Sequence, residues 1–322
     1  MARPQNPYAP PDTDTQAIKR PPSAVFDLRP MTFGSAAAAV VCAVLWGGLA
    51  AAVRFTQDTV PPLETAGLRF GLATLLLAGT ALWQGASLTL NGRQIAAVVP
   101  VGLLLFLQIG SFHYGMAYTN SAHGSVMIGS YPVFVAFVAH FLLHGDRVSR
   151  SKLLGLLVAF AGLVSIAAGA AQNAAVSADA PSLFGDGVVL ASSFLIGVNT
   201  VMSKRALAVV GVSSLLFWSN LLATGLFFAA SASIETMIWR FTAPAVWGLL
   251  YQSVVVAWLC FLIWTALLRH HRASQVAVFG FAQPLCGIGF GIWLRGDPMH
   301  LSLAIGGAAV ALGIVLVTRA DA

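Results

Sequence analysis

The sequence predicts an all-α polytopic membrane protein, with ten transmembrane helices arranged as two inverted five-helix repeats. Three observations carry this. Of 322 residues, 58% are apolar and only 9% are charged, with a mean hydropathy of +0.82. A soluble domain carries about 25% charged residues to cover its surface, so most of this chain's exterior must face lipid. Lys and Arg fall almost wholly into alternate loops, and short sequence features recur at an offset close to 150 residues.

The elements follow in order. Residues 1–31, "MARPQNPYAPPDTDTQAIKRPPSAVFDLRPM", are polar and Pro-rich and are expected to be a disordered cytoplasmic tail. A secretory leader ending near residue 52 is the rival reading, but the polar stretch before it is too long and no soluble mature protein follows. A membrane-crossing helix needs about 20 apolar residues. Ten such runs lie at roughly 34–53, 63–84, 95–116, 122–143, 153–171, 185–203, 212–232, 244–267, 274–293 and 300–318. The breaks hold turn-formers or charges: "TQDTVPP", "HGDRVSRSK", "AQNAAVSADAPS", "LRHHRA". Two longer runs, 95–143 and 244–293, must each be split, at "YTNSAHG" and at "RHHRAS".

With ten spans both termini share a side. That side collects thirteen of the 17 Lys and Arg: Arg3, Lys19, Arg20, Arg29, Arg93, Arg147, Arg150, Lys152, Lys204, Arg205, Arg269, Arg272 and Arg319. The other side collects Arg54, Arg240 and Arg295, while Arg69 lies inside a span. The bias places both termini in the cytoplasm. It also explains the pI of 9.7 without invoking nucleic acid. Cys42, Cys260 and Cys286 lie inside apolar runs without paired spacing, which predicts neither a disulfide framework nor a metal site.

The repeat is read from several weak matches with one offset. "LWGGLAAAVR" (45–54) aligns with "LIGVNTVMSK" (195–204), "LAT" at 72–74 with "LAT" at 222–224, Gly162 with Gly313, and Pro132 with Pro284. "SYPVFVAFVAHFLLHGD" (130–146) and "AQPLCGIGFGIWLRGD" (282–297) each open near a proline and end on Gly-Asp. Five spans is an odd number, so the second half enters from the opposite face. The expected organisation is a first repeat at 32–171, a periplasmic linker at 172–183, a second repeat at 184–318 and a cytoplasmic tail at 319–322. Inverted repeats place a substrate site near the midplane between halves. Proline removes a helical hydrogen bond, so Pro132 and Pro284 are expected to face inward as hinges, one gating each face, with a packing kink alone as the alternative.

These features resemble the drug/metabolite transporter superfamily in its EamA branch. The resemblance covers residues 32–318 and rests on Trp46-Gly47, the Pro62-to-Arg69 spacing, Ala117 and Ala122 around the third turn, Pro132, and Gly145-Asp146. The family usually carries Glu where Asp146 stands. Overall length and arrangement also resemble YddG-type amino-acid exporters of bacteria. The resemblance implies ten helices in inverted repeats, a bacterial inner-membrane location, and a cavity lined by helices 1, 3, 4, 6, 8 and 9.

Polar residues in a span face the bundle interior or a wet cavity. On those helices, side chains at helical spacing give the candidate lining. Span 1 offers Trp46; span 3 offers Gln108, Ser111, Tyr114 and Tyr118; span 4 offers Ser130 and Tyr131 beside His123. Span 6 offers Asn199 with Ser192 and Ser203; span 8 offers Tyr251, Gln252, Trp258 and Thr265; span 9 offers Gln283 and Gln275. Tyr118 and Tyr251 have an interface-belt role as the alternative, and Asn199 and Gln283 a helix-to-helix bond. Arg69 could hold a substrate carboxylate, but its place near the end of a span peripheral in the family favours a structural or gating role. His113 and His140 fall off the lining stripes, and His270 and His271 are expected to be solvated.

The expected lining is neutral, hydrogen-bonding and aromatic. It lacks the Arg and Lys clusters that phosphorylated substrates need. The acids are all expected in loops, tails or span ends, so coupling through a buried carboxylate is not favoured over facilitated export down a gradient. A zwitterion suits such a site, with helix dipoles and amides holding its ends. The reading is an exporter of small metabolites, neutral or aromatic amino acids first, with other amphipathic metabolites or drugs as the alternative. No cofactor or metal is expected, and the partners are the substrate and the bilayer, with no nucleic acid and a monomer or weak dimer. An intramembrane enzyme would need paired acids, a metal set or a nucleophile–base pair, and neither HExxH nor GxSxG occurs. A non-transporting scaffold would need no polar stripes.

Overall fold

A computed structural model describes residues 28–57, 59–116, 118, 127–173, 183–236, 240–295 and 301–320. Every regular element among them is helical, as the bilayer demands: each helix satisfies its own backbone polar groups without water. Among the described residues, five helices are long and apolar enough to cross a membrane.

The order begins with α1 (Phe33–Gly47), capped by the Thr32 hydroxyl accepting the Ser35 amide at 3.2 Å, then α2 (Leu49–Gln57). Next come α3 (Pro62–Trp83) and α4 (Gly92–Met116). Asn91 and Gln94 exchange side-chain and backbone bonds at 3.0 Å at the start of α4, a capping box. Then follow α5 (Tyr131–Leu142), α6 (Arg150–Asn173), α7 (Leu183–Ala206) and α8 (Val212–Ile234). One continuous rod contains α9 (Ala243–Leu250), a π-helical stretch (Tyr251–Cys260) and α10 (Phe261–His270). The chain closes with α11 (Ala273–Ala277), a 3₁₀ turn (Val278–Phe281), α12 (Ala282–Arg295) and α13 (Leu301–Arg319). The expected tail at 1–31 lies mostly, and the linker at 172–183 almost wholly, outside the described residues, as do Ala117, Ala122 and His123.

Three sets of close contacts recur with partners exchanged at an offset of 150–152. In the first, a Cβ on Gly47 would lie 2.7 Å from the Cys286 side chain, and one on Gly197 would lie 2.8 Å from that of Phe134. In the second, α6 and α13 meet backbone to backbone. A Cβ on Gly162 would lie 2.6 Å from the Gly306 carbonyl oxygen, and one on Gly155 would lie 2.9 Å from that of Gly313. In the third, α3 and α8 exchange ends. The Glu235 carboxylate accepts the Leu63 amide at 2.9 Å, and the Gln84 side-chain oxygen accepts the Ser213 hydroxyl at 2.7 Å.

Candidate functional site

Where α4 meets α7, the Asn199 amide donates to the Gln108 side-chain oxygen at 3.2 Å, and the Ser192 hydroxyl donates to the Gln108 carbonyl at 2.7 Å. Both Gln108 and Asn199 are buried, and the Asn199 side-chain oxygen has no partner among the described residues. The helix-to-helix alternative for Asn199 is thus realised, with one buried acceptor left over. Ser111, on the same helix as Gln108, is half-buried.

Where α5 meets α7, the Ser130 and Ser193 hydroxyls lie 2.9 Å apart, and Ser130 also donates to the Met127 carbonyl at 2.6 Å. Ser130 is the point at which the helix breaks, so α5 restarts at Tyr131 and Pro132 falls in its first turn. There a missing N–H removes no helical bond. Pro132 therefore follows the break rather than sitting in mid-helix. Pro284 is placed comparably, as third residue of α12 after the 3₁₀ turn, with Gln283 half-buried beside it. Tyr131 is buried with its hydroxyl against Gly280, a position that has no room for a Cβ. The two irregular segments thus touch each other.

On α1, Trp46 is half-buried and meets Trp264 at 4.7 Å and Phe261 at 6.3 Å between ring centroids. The helix breaks just after it, at Gly48. The Tyr251 hydroxyl donates to the Leu45 carbonyl at 2.5 Å and stands 2.7 Å from where a Gly48 Cβ would be. Gln252 is buried and donates to the Ala52 carbonyl at 3.2 Å and the Thr56 hydroxyl at 2.9 Å. Tyr251 and Gln252 therefore bind α1–α2 to the π stretch.

The face expected to unite Tyr251, Trp258 and Thr265 does not hold. Trp258 donates from its indole to the Thr80 hydroxyl of α3 at 2.9 Å, away from α1. The reason is local. The stretch from Tyr251 to Cys260 is π-helical, closed by i→i+5 bonds, and in that wider turn seven residues no longer complete two turns. Tyr114 and Tyr118 lie further along the α4–α7 contact. Both are exposed and form a cluster with Phe184, their own rings 5.2 Å apart.

Several groups with the strongest chemistry were not in the expected lining. Glu64 and Asp146 lie at a span end and in a loop, as expected, yet both are buried. Asp146 accepts the Lys152 ammonium at 2.7 Å and the Ser274 backbone amide at 3.0 Å, and also the Ser274 hydroxyl. Arg272 donates to the neighbouring Gly145 carbonyl at 2.8 Å. Lys204 donates to the Leu268 and His271 carbonyls at 2.5 and 2.7 Å, closing the end of α10. His271, expected to be solvated, is buried between the Arg29 carbonyl at 3.0 Å and the Ser35 hydroxyl at 2.8 Å. The Gly-acid ending noted in the sequence was the one signal for this cluster. His113 and His140 do bond locally, to Ile109 and Val148. Arg69 is buried, with its Cζ 5.0 Å from the Phe70 ring centroid. No group of three or more potential metal ligands gathers among the described residues. A surface concavity of about 700 Å³ lies apart from these seams, beside Ser87, Asn91, Gln94 and Ser214.

This all-helical arrangement has counterparts among known proteins. The profile of the EamA-like transporter family matches residues 34–168 and again 183–319. An uncharacterized transporter, YoaV, of Bacillus subtilis is 24% identical over 278 residues, covering 85% of this chain and 93% of that protein. A probable amino-acid metabolite efflux pump of Salmonella typhimurium is 21% identical over 290 residues, covering 86% of this chain and 92% of that protein. One solved structure superposes with a TM-score of 0.76 at 17% identity, covering 89% of this chain and 97% of the other, which is a likeness of fold alone.

Proposed function

The chain belongs to the EamA-like transporter family, and from that premise we propose that it exports small zwitterionic metabolites, amino acids first, by alternating access between two inverted five-helix halves. The observation that carries the reading is the exchanged pairing of contacts. Gly47 meets Cys286 as Gly197 meets Phe134, and Gly162 meets Gly306 as Gly155 meets Gly313. Contacts that swap partners at a constant offset are what a two-fold relation between halves produces, and the double match of the family profile supports the same division. In such transporters the site lies at the interface of the repeats, where helices are discontinuous. Here α1–α2 breaks at Gly48 beside Trp46, α5 begins at a break at Ser130, and α12 follows a 3₁₀ turn.

The chemistry at these breaks is neutral amide and hydroxyl beside Trp46, Trp264 and Phe261, which favours a small molecule with an apolar or aromatic body and polar ends. The name of the Salmonella relative supports amino-acid metabolites. The cluster around Asp146 lies at the end that the Lys and Arg bias assigns to the cytoplasm. It ties the loop after α5 to the start of α11 and so serves as the inner closure. In this reading Pro132 and Pro284 let α5 and α12 pivot at their first turns.

Purified protein in proteoliposomes, offered radiolabelled amino acids, sugars and amphipathic drugs, tests the proposal. Saturable, protein-dependent flux of neutral or aromatic amino acids is expected. Flux of drugs or other metabolites alone would replace the substrate class, and no flux of any would remove the transport reading.

A further inference from the structure

Residues 28–31 lead into α1, and their backbone is tied to the far half of the chain. Pro30 disfavours the helical region for Arg29, and an extended residue points its N–H and C=O to one side. The Arg29 amide donates to the His270 carbonyl at 2.8 Å, and the Arg29 carbonyl lies 3.0 Å from Nδ1 of His271. His270 ends α10, where the last carbonyls have no partner inside the helix. Lys204 takes the Leu268 and His271 carbonyls, and the segment before α1 takes that of His270.

His271 holds this docking from the other side. Its side chain is 4% exposed, and Nε2 lies 2.8 Å from the Ser35 hydroxyl on the first turn of α1. With Nδ1–H donating to the Arg29 carbonyl, Nε2 accepts from Ser35, whose oxygen accepts the Thr32 hydroxyl at 3.0 Å. Leu28, half-buried, reaches the loop after α5, where a Cβ on Gly145 would lie 3.2 Å from its Cδ1. Gly145 has a φ of +91°, a conformation that glycine tolerates, so one residue both turns the chain and leaves room for Leu28. Its carbonyl accepts Arg272, and its neighbour Asp146 accepts the Ser274 amide. The segment thus lies beside the junction that ties the loop after α5 to α11. Its bonds to His270 and His271 join the head of the first family match to the second, and an opening between the halves at this end has to break them. Arg29 is exposed, so water takes over its backbone groups on release, which keeps the contact reversible. We propose that residues 28–31 form a strap that latches the inner closure, with His271 as its catch, and that the site opens to the cytoplasm only when the strap comes away. The inference rests on the alternating-access reading above and adds a regulating contact to it.

The test uses the full chain without its three native cysteines, carrying Arg29→Cys with His270→Cys. A short, reducible bis-methanethiosulfonate linker should join the two positions and lower amino-acid flux in proteoliposomes at least about tenfold, and reduction should restore it. Either cysteine alone should leave flux unchanged under the same reagent. His271→Ala removes both side-chain bonds. It should lower the half-saturating substrate concentration at the inner face by about two- to tenfold, since a larger share of molecules then stands open to that face. His271→Asn keeps a donor toward Arg29 and should stay near the wild type. Hydrogen exchange in detergent gives a readout free of transport: amides of the loop carrying Asp146 and of α11 should exchange faster in His271→Ala and slower in the linked protein. Failure to link, full flux in the linked protein, or an unchanged or raised half-saturating concentration in a folded His271→Ala overturns the inference. If His271→Ala does not fold, the linked pair decides. Flux that ignores the link removes the strap and leaves the exporter reading. No flux of any substrate, with exchange that follows the link and His271→Ala as expected, removes the exporter reading and leaves the strap.

Discussion

The carboxylate of Asp146 accepts the backbone amide of Ser274 at 3.0 Å, joining the loop after α5 to the first turn of α11 across 128 residues of sequence. The negative group stands at a helix start, where unpaired amides favour it, and the buried Lys152 ammonium at 2.7 Å balances its charge. Asp146→Asn keeps the shape and removes the charge, taking from buried Lys152 the carboxylate that lies 2.7 Å from it. Breaking one side of a buried pair costs about 3–5 kcal/mol, so this variant should melt well below the wild type. Asp146→Asn combined with Lys152→Met should recover most of the loss. Thermal unfolding of the two single variants and the double variant checks this; additive losses would show that the two groups are not energetically a pair.

The glycines between α6 and α13 should be intolerant in matched fashion. A methyl at Gly162 or Gly306 would fall 2.6 Å or closer to the opposing helix, and one at Gly155 or Gly313 2.9 Å or closer. Alanine at any of the four should destabilise by about 1–3 kcal/mol, the scale of overpacking. Gly79, where a methyl group would meet nothing within 4 Å, is the control and should accept alanine without loss. Unfolding midpoints of the five variants test whether the two helices meet as closely in the bilayer.

Asn199→Ala should reduce flux about tenfold, equivalent to ~1.4 kcal/mol in a barrier, with little change in stability. A single side-chain bond between membrane helices contributes only about 0.6 kcal/mol on average, and this one, to Gln108, is 3.2 Å long. Trp46→Ala should impair flux comparably by removing the ring that meets Trp264 and Phe261. Flux at equal expression decides; wild-type rates in both would remove these seams from the transport path.

The orientation predicts labelling. In a variant lacking the three native cysteines, one cysteine at Ser177 should react with an impermeant thiol reagent in intact cells. One at Ser149, in the loop that carries Asp146, should not. Ser177 lies outside the described residues, so the forecast rests on the charge bias alone. The opposite pattern would invert the topology.

Much of the helical layout was legible because the constraint behind it is one-dimensional. Apolar runs ended by Gly-Asp, Pro-Pro or paired basic residues can only be helices in lipid. The bounds of α3, α4, α6, α7, α8 and α13 lie within a few residues of those drawn from such runs. The match of Gly162 with Gly313 falls on residues that both lie at the α6–α13 contact. Facing was less legible. A 3.6-residue wheel placed Tyr251 and Trp258 together, but ten residues of π-helix turned Trp258 toward Thr80.

Composition, charge bias and repeat offset by themselves determined that this is a membrane protein of helices, because those quantities answer to solvent and to the membrane's two sides, which act on every residue separately. Only the tertiary structure decided that Asn199 reaches Gln108, that Gln252 reaches Thr56, that Asp146 caps Ser274 and that Arg69 keeps a donor unpaired. Each of these depends on which two helices touch and at what height. A hydrogen bond acts over about 3 Å, so one turn of slippage exchanges every partner while leaving the hydropathy of the sequence unchanged.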